Sequence, residues 1–176
     1  MNAVMKILGM ALLAALATFG AASAQVSDAV AQKKDWSIFK QGSAADRMCW
    51  IVSQPISSTA KRAGSPVSVN RGDIFLMVAI RPGERVKNEV SMMSGYPFRK
   101  NSAVKVKIGS ETYEMFTEGE GAWTDSAESD DRLVGAMRRG ADAVISGVST
   151  RGTTTTDTFS LRGFTAAINE ARKLCQ

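Results

Sequence analysis

Val104-Lys105-Val106-Lys107-Ile108-Gly109-Ser110-Glu111-Thr112-Tyr113-Glu114-Met115-Phe116-Thr117 carries a period of two. Val104, Val106 and Ile108 alternate with Lys105 and Lys107, so an extended backbone puts the apolar side chains on one face and the ammonium groups on the other. Gly109-Ser110 suits a two-residue turn, and Thr112 to Thr117 returns as the second arm of a hairpin.

The same reading extends upstream. Trp36 to Lys40 and Met48-Cys49-Trp50-Ile51-Val52 have strand character, and Ile74 to Ile80 is a nearly continuous apolar run of the kind a buried strand shows. Pro82-Gly83 fits the centre of a tight turn that sends the chain back through Val86 to Met93. Between them Ser53 to Arg71, rich in Ser, Pro, Gly and basic residues, reads as an exposed connection. Downstream, Ala143 to Ser149 and Thr154 to Leu161 flank Arg151-Gly152 as a second hairpin, and the Thr153–Thr156 run is ordinary strand propensity.

Two segments have helical spacing. Asp125 or Ser126 caps the first, with acids in its opening turn. Leu133, Val134 and Met137 form its stripe, Arg138 and Arg139 close it, and Gly140 ends it. The second runs from about Thr165 to Leu174, with Phe164, Ile168, Ala171 and Cys175 on one face. The expected fold is therefore mainly β: a single-domain antiparallel β-sandwich or bent sheet with two short helices, one at the C-terminus.

Residues 1–24 read as a signal peptide. Lys6 supplies the positive end, Ile7 to Phe19 is an uncharged run, and Ala22-Ser23-Ala24 places small residues before a cut at about Ala24/Gln25. The run is too short and Ala-rich for an anchor, and no later stretch is apolar enough to span a bilayer. Residues 25–34 are polar and expected to be flexible, leaving 35–176 as the β-rich domain. The expected localisation is periplasmic or secreted. The net charge of +5, reduced by one when Lys6 leaves, is too small to imply nucleic-acid binding.

Export bears on the only two cysteines, Cys49 and Cys175. Thiols outside the cytoplasm are oxidised in pairs, so a Cys49–Cys175 disulfide is expected, whereas two distant Cys and no His cannot fill a zinc site. The absence of His also removes imidazole bases, Ser-His and Cys-His dyads. No catalytic residue, cofactor or metal is therefore assigned.

Carboxylates remain. Glu111, Glu114, Glu118, Glu120, Asp125, Glu128, Asp130 and Asp131 follow one another without an intervening base. They suggest either a calcium site or a glycan-hydrolysing pair, but the ligand spacing of a calcium loop is missing and a solvated face explains them better. The basic surplus in Lys61-Arg62 through Arg71 and in Arg99-Lys100 could meet anionic lipid or polysaccharide. Ordinary solvated loops are the simpler account, since no amphipathic helix concentrates the charge. Trp36, Trp50 and Trp123 are candidates for a sugar-binding surface; Trp50 reads as core beside Cys49, and Trp123, after a Gly-rich turn, as the exposed one.

An ordered series of short motifs adds a resemblance. Cys49-Trp50-Ile51-Val52-Ser53-Gln54, Arg81-Pro82-Gly83-Glu84, Asn88-Glu89-Val90-Ser91 and Gly95-Tyr96-Pro97-Phe98 lead to Ala136-Met137-Arg138-Arg139-Gly140, Ser149-Thr150-Arg151-Gly152-Thr153 and Asp157-Thr158-Phe159-Ser160-Leu161. From about Trp36 to Cys175 the chain resembles the invasion-associated locus B family of exported bacterial proteins. The resemblance implies a mainly-β envelope domain, virulence-associated in pathogens through host-cell invasion, with no catalytic residues to carry over. The resulting expectation is a non-enzymatic protein that binds an envelope protein or cell-surface glycan. Trp123, Glu118, Glu120, Arg99 and Lys100 form its candidate partner surface. The alternative is a periplasmic carboxylate-dependent glycan hydrolase using acids within Glu111–Asp131.

Overall fold

The structure is a computed structural model that describes residues 29–43 and 46–176. The expected signal peptide and its cleavage site lie outside the described residues. Twelve antiparallel strands form one sheet, accompanied by two helices. The strands are β1 (Ala31–Lys33), β2 (Trp36–Gln41), β3 (Met48–Ser53), β4 (Ser57–Arg62), β5 (Ser65–Pro66) and β6 (Phe75–Arg81). They continue with β7 (Val86–Met93), β8 (Ala103–Ile108), β9 (Glu111–Glu118), β10 (Gly121–Trp123), β11 (Asp142–Val148) and β12 (Thr153–Ser160). Helix α1 (Ala127–Arg139) lies between β10 and β11, and α2 (Phe164–Leu174) follows β12. The mainly-β expectation holds, and of its two forms the bent single sheet is the one realised.

The bend follows from one short connection. The order is β1-β2-β3-β6-β7-β10-β9-β8-β11-β12-β4-β5, so the chain passes from the third place to the eleventh between Ser53 and Ser57. Those two Cα atoms are no more than about 15 Å apart. Eight flat inter-strand steps would cover about 38 Å. The sheet must therefore curl until its two halves face each other. Two hydrogen bonds record the closure: the Ile56 amide donates to the Thr158 carbonyl (2.8 Å), and the Trp36 indole N–H donates to the Ser160 carbonyl (3.0 Å).

Inside the curl, the period-two residues meet. Val104, Val106 and Ile108 are buried while Lys105 and Lys107 are exposed. Helix α2 closes one side, with Phe164 edge-on to Trp36 at 5.0 Å between ring centres. Its start depends on Gly163, where φ is +90° and a Cβ would lie 2.0 Å from the Lys33 carbonyl oxygen; only glycine fits. In α1 the Ser126 hydroxyl accepts from the Ser129 amide, Arg138 and Arg139 occupy the last turn, and Gly140 caps the end. The bridge expected from export is present: Cys49 of β3 is bonded to Cys175 after α2, with Cα atoms 5.9 Å apart.

Three local expectations need correction. Ser53 to Arg71 is not only a connection, because it contains β4 and β5. Strand β4 is exposed along nearly its whole length and is held by its ladder with β12, so no alternation of polarity announced it. The segment 25–34, expected to be flexible, contributes β1. Trp50 is not core: Cys49 and Ile51 point inward, so the pleat turns Trp50 outward, where it stacks on Phe39 at 5.3 Å.

Candidate functional site

Strand β10 is three residues long, yet it sets the most distinctive surface of the molecule. Trp123 stands directly opposite Phe116 of β9, so both rings leave the same face of the sheet. Their centres are 6.0 Å apart, and Phe116 is 49% exposed, unusual for so large an apolar ring. The indole folds back over Gly121, where a Cβ would lie 2.2 Å from the ring. The Gly-rich turn thus does more than precede Trp123; it makes room for it. Gly121→Ala should leave the secondary structure intact and expel the indole into water, giving a red-shifted tryptophan emission. An unchanged spectrum would show that the ring does not rest there.

Below this aromatic shelf runs an open groove of about 560 Å³. Residues Arg85 to Glu89 border one side, and Thr124 to Ala127 with Asp130 and Asp131 border the other. Asp130 reaches across from α1 to β7: its Oδ1 accepts from the Val90 amide (2.7 Å) and from the Thr124 hydroxyl. Burial pushes the Asp130 carboxyl above its ordinary value, while the hydrogen bonds from Thr124 and Val90 act in the opposite direction. Asp131 accepts from the Asn88 side-chain amide (2.6 Å), and Asn88 in turn accepts from Arg172 of α2 (2.7 Å). Glu89 is held bidentately by Arg81 at 3.0 and 2.7 Å, and Arg81 also donates to Glu84. The hydroxyls of Ser129 and Ser126 hold the Asp125 carboxyl below its ordinary value.

Three of the four groove carboxylates, Glu89, Asp130 and Asp131, are therefore engaged in joining elements of the fold, while Asp125 is exposed and bonded only to serines at the start of α1. A glycosidase needs one carboxyl free to give a proton and another free to attack or activate water. No such free pair lines the groove. Among the described residues, no group of three or more Asp, Glu and Cys side chains is arranged to hold a metal ion.

The expected surface residues divide. Trp123 belongs to the groove. Glu118 and Glu120 flank Gly119 at the β9–β10 turn, and the Phe98 amide donates to the Gly119 carbonyl (2.8 Å), bringing exposed Arg99 and Lys100 alongside them. Among the described residues none of these four forms an ion pair with another. Trp36 is fully buried and takes no part in a surface. Phe116 is the member that sequence reasoning missed. It follows buried Met115 on the hairpin's second arm, so alternation alone already placed it outside.

The family described as "Invasion associated locus B (IalB) protein" matches residues 36–172. The chain belongs to the IalB family. The crystal structure of invasion associated protein B from Bartonella henselae superposes with a TM-score of 0.56 at 15% identity, covering 82% of this chain and 95% of that one. At that identity the likeness is one of fold. No curated protein matches the chain. The IalB match spans β2 through most of α2, with β1 and Cys175 lying just outside it.

Proposed function

We propose that this IalB-family chain is an exported bacterial envelope protein that works by binding rather than by catalysis, with the Trp123–Phe116 groove as its contact surface and a cell-surface glycan as its partner. The observation that carries the reading is an aromatic shelf left open to water above a groove in which three of four acids are committed to the fold. Flat apolar rings bordered by fixed acceptors suit a pyranose, whose C–H face packs on the rings while its hydroxyls donate to the acids. The Cys49–Cys175 bridge supports an oxidising compartment. Among the described residues, no helix is long and apolar enough to cross a membrane. Adhesion of this kind is how such a protein would contribute to host-cell invasion.

Glycan-array binding of the protein purified from the periplasmic fraction tests this. The expected outcome is a set of bound glycans whose affinity falls roughly tenfold or more in Trp123→Ala and Phe116→Ala, the scale of losing a stacked aromatic contact. A protein partner captured through the same two residues would redirect the assignment to protein binding. Turnover of a glycan that is lost in Asp130→Asn would favour the hydrolase instead.

A further inference from the structure

A second concavity, sharing no lining residue with the groove, lies where β4, the 68–71 segment and the β11–β12 turn converge. Its volume of about 150 Å³ is roughly that of five waters. Arg62, Arg71 and Arg151 line it together with hydroxyl and amide side chains, and no carboxylate does.

The three guanidiniums are not equivalent. Arg71 is spent: it pairs bidentately with fully buried Asp157 at 2.7 and 2.8 Å, donates twice to the Ser94 carbonyl, and lies 5.0 Å over the Tyr96 ring. It forms a rigid floor. Arg62 stands across from Thr153 in the β4–β12 ladder, and its Nε and Nη2 both donate to the Thr153 hydroxyl, at 3.0 and 2.9 Å. That contact fixes the fork while leaving Nη1 and its outward N–H bonds to point elsewhere. Arg151 projects from the turn, and Arg99 comes up beside Gly152. Among the described residues neither Arg62 nor Arg151 pairs with an acid.

Converging cations of this kind repel one another unless an anion joins them, and a pre-set guanidinium fork matches the oxygens of a phosphate group. We propose that this pocket is a phosphate-binding site, taking either free phosphate or the terminal phosphomonoester of an anionic lipid headgroup. Strand pairing is what builds it: β4 and the β11–β12 turn are far apart in the chain, so the charges that looked like scattered loop residues are gathered only in the fold.

The test is calorimetric titration of the disulfide-intact protein with inorganic phosphate at constant ionic strength. It runs beside co-sedimentation with phosphatidylcholine vesicles with and without phosphatidic acid. Arg151→Gln and the Arg62→Gln/Arg151→Gln double variant are compared with the parent. Phosphate binding that weakens roughly tenfold or more per arginine supports the free-anion form. Binding only to phosphatidic acid vesicles, lost in the same variants, supports the headgroup form. No binding in either arm, or equal binding by the double variant with an unchanged unfolding midpoint, overturns the proposal. So does equal binding to vesicles lacking phosphatidic acid.

Discussion

Replacing Cys49 and Cys175 together by alanine will lower the unfolding free energy by about 4–5 kcal/mol, on the chain-entropy account of a closed loop this long. The bridge spans 126 residues, nearly the whole described chain, so its loss releases the unfolded state from one very large ring. Both positions are also buried, Cys49 completely, so the missing sulfurs leave voids against Ile80 and α2 that add to the cost. Urea unfolding of the variant and of the parent, each monitored by circular dichroism, gives the difference. A loss below about 1 kcal/mol would mean that packing of α2 alone holds the end of the chain.

The second large effect lies at Asp157. Its carboxylate is wholly buried, and its two oxygens take both arms of the Arg71 fork. Asp157→Ala strands a guanidinium in the interior, and breaking one side of such a pair costs about 3–5 kcal/mol. Replacing both partners by apolar residues of similar size should recover much of that, because no charge is then left without a partner. The Ser94 carbonyl, which also accepts from Arg71, limits the recovery. Thermal and urea unfolding of the two single variants and the double variant closes the cycle. Near-additive losses would show that the two side chains contribute independently.

Much of the architecture could be read from alternation. The Val104–Ile108 arm and both capped ends of α1 rest on local signals that tertiary structure leaves in force, and the pairing of Cys49 with Cys175 followed from expected export and from there being only two cysteines. Strand β4 was invisible because most of its side chains face water, and its ladders with β12 and β5, not an apolar face, stabilise it. Trp50 was misplaced for a related reason. An unbroken apolar run hides its own pleat, and the inward role of Cys49 fixes the parity only once the bridge is known. Trp123 was legible through the Gly-rich turn before it. Alternation already placed Phe116 outside, but its pairing with Trp123 and the Arg62–Arg151 cluster needed registers between strands that no local pattern encodes.

The three-residue passage from β3 to β4 has a kinetic consequence. Arg62 meets Thr153 across 91 positions of chain, so the ladder that joins β4 to the sheet cannot zip until β12 is in place. Sheets closed by contacts this distant fold on the order of milliseconds to seconds, far slower than hairpins form. During that interval β4 waits as an unpaired edge, and the charges of Lys61 and Arg62 discourage it from joining the strand of a neighbouring molecule. Arg62, which lends the finished pocket part of its charge, thus also helps protect the unfinished sheet from aggregation.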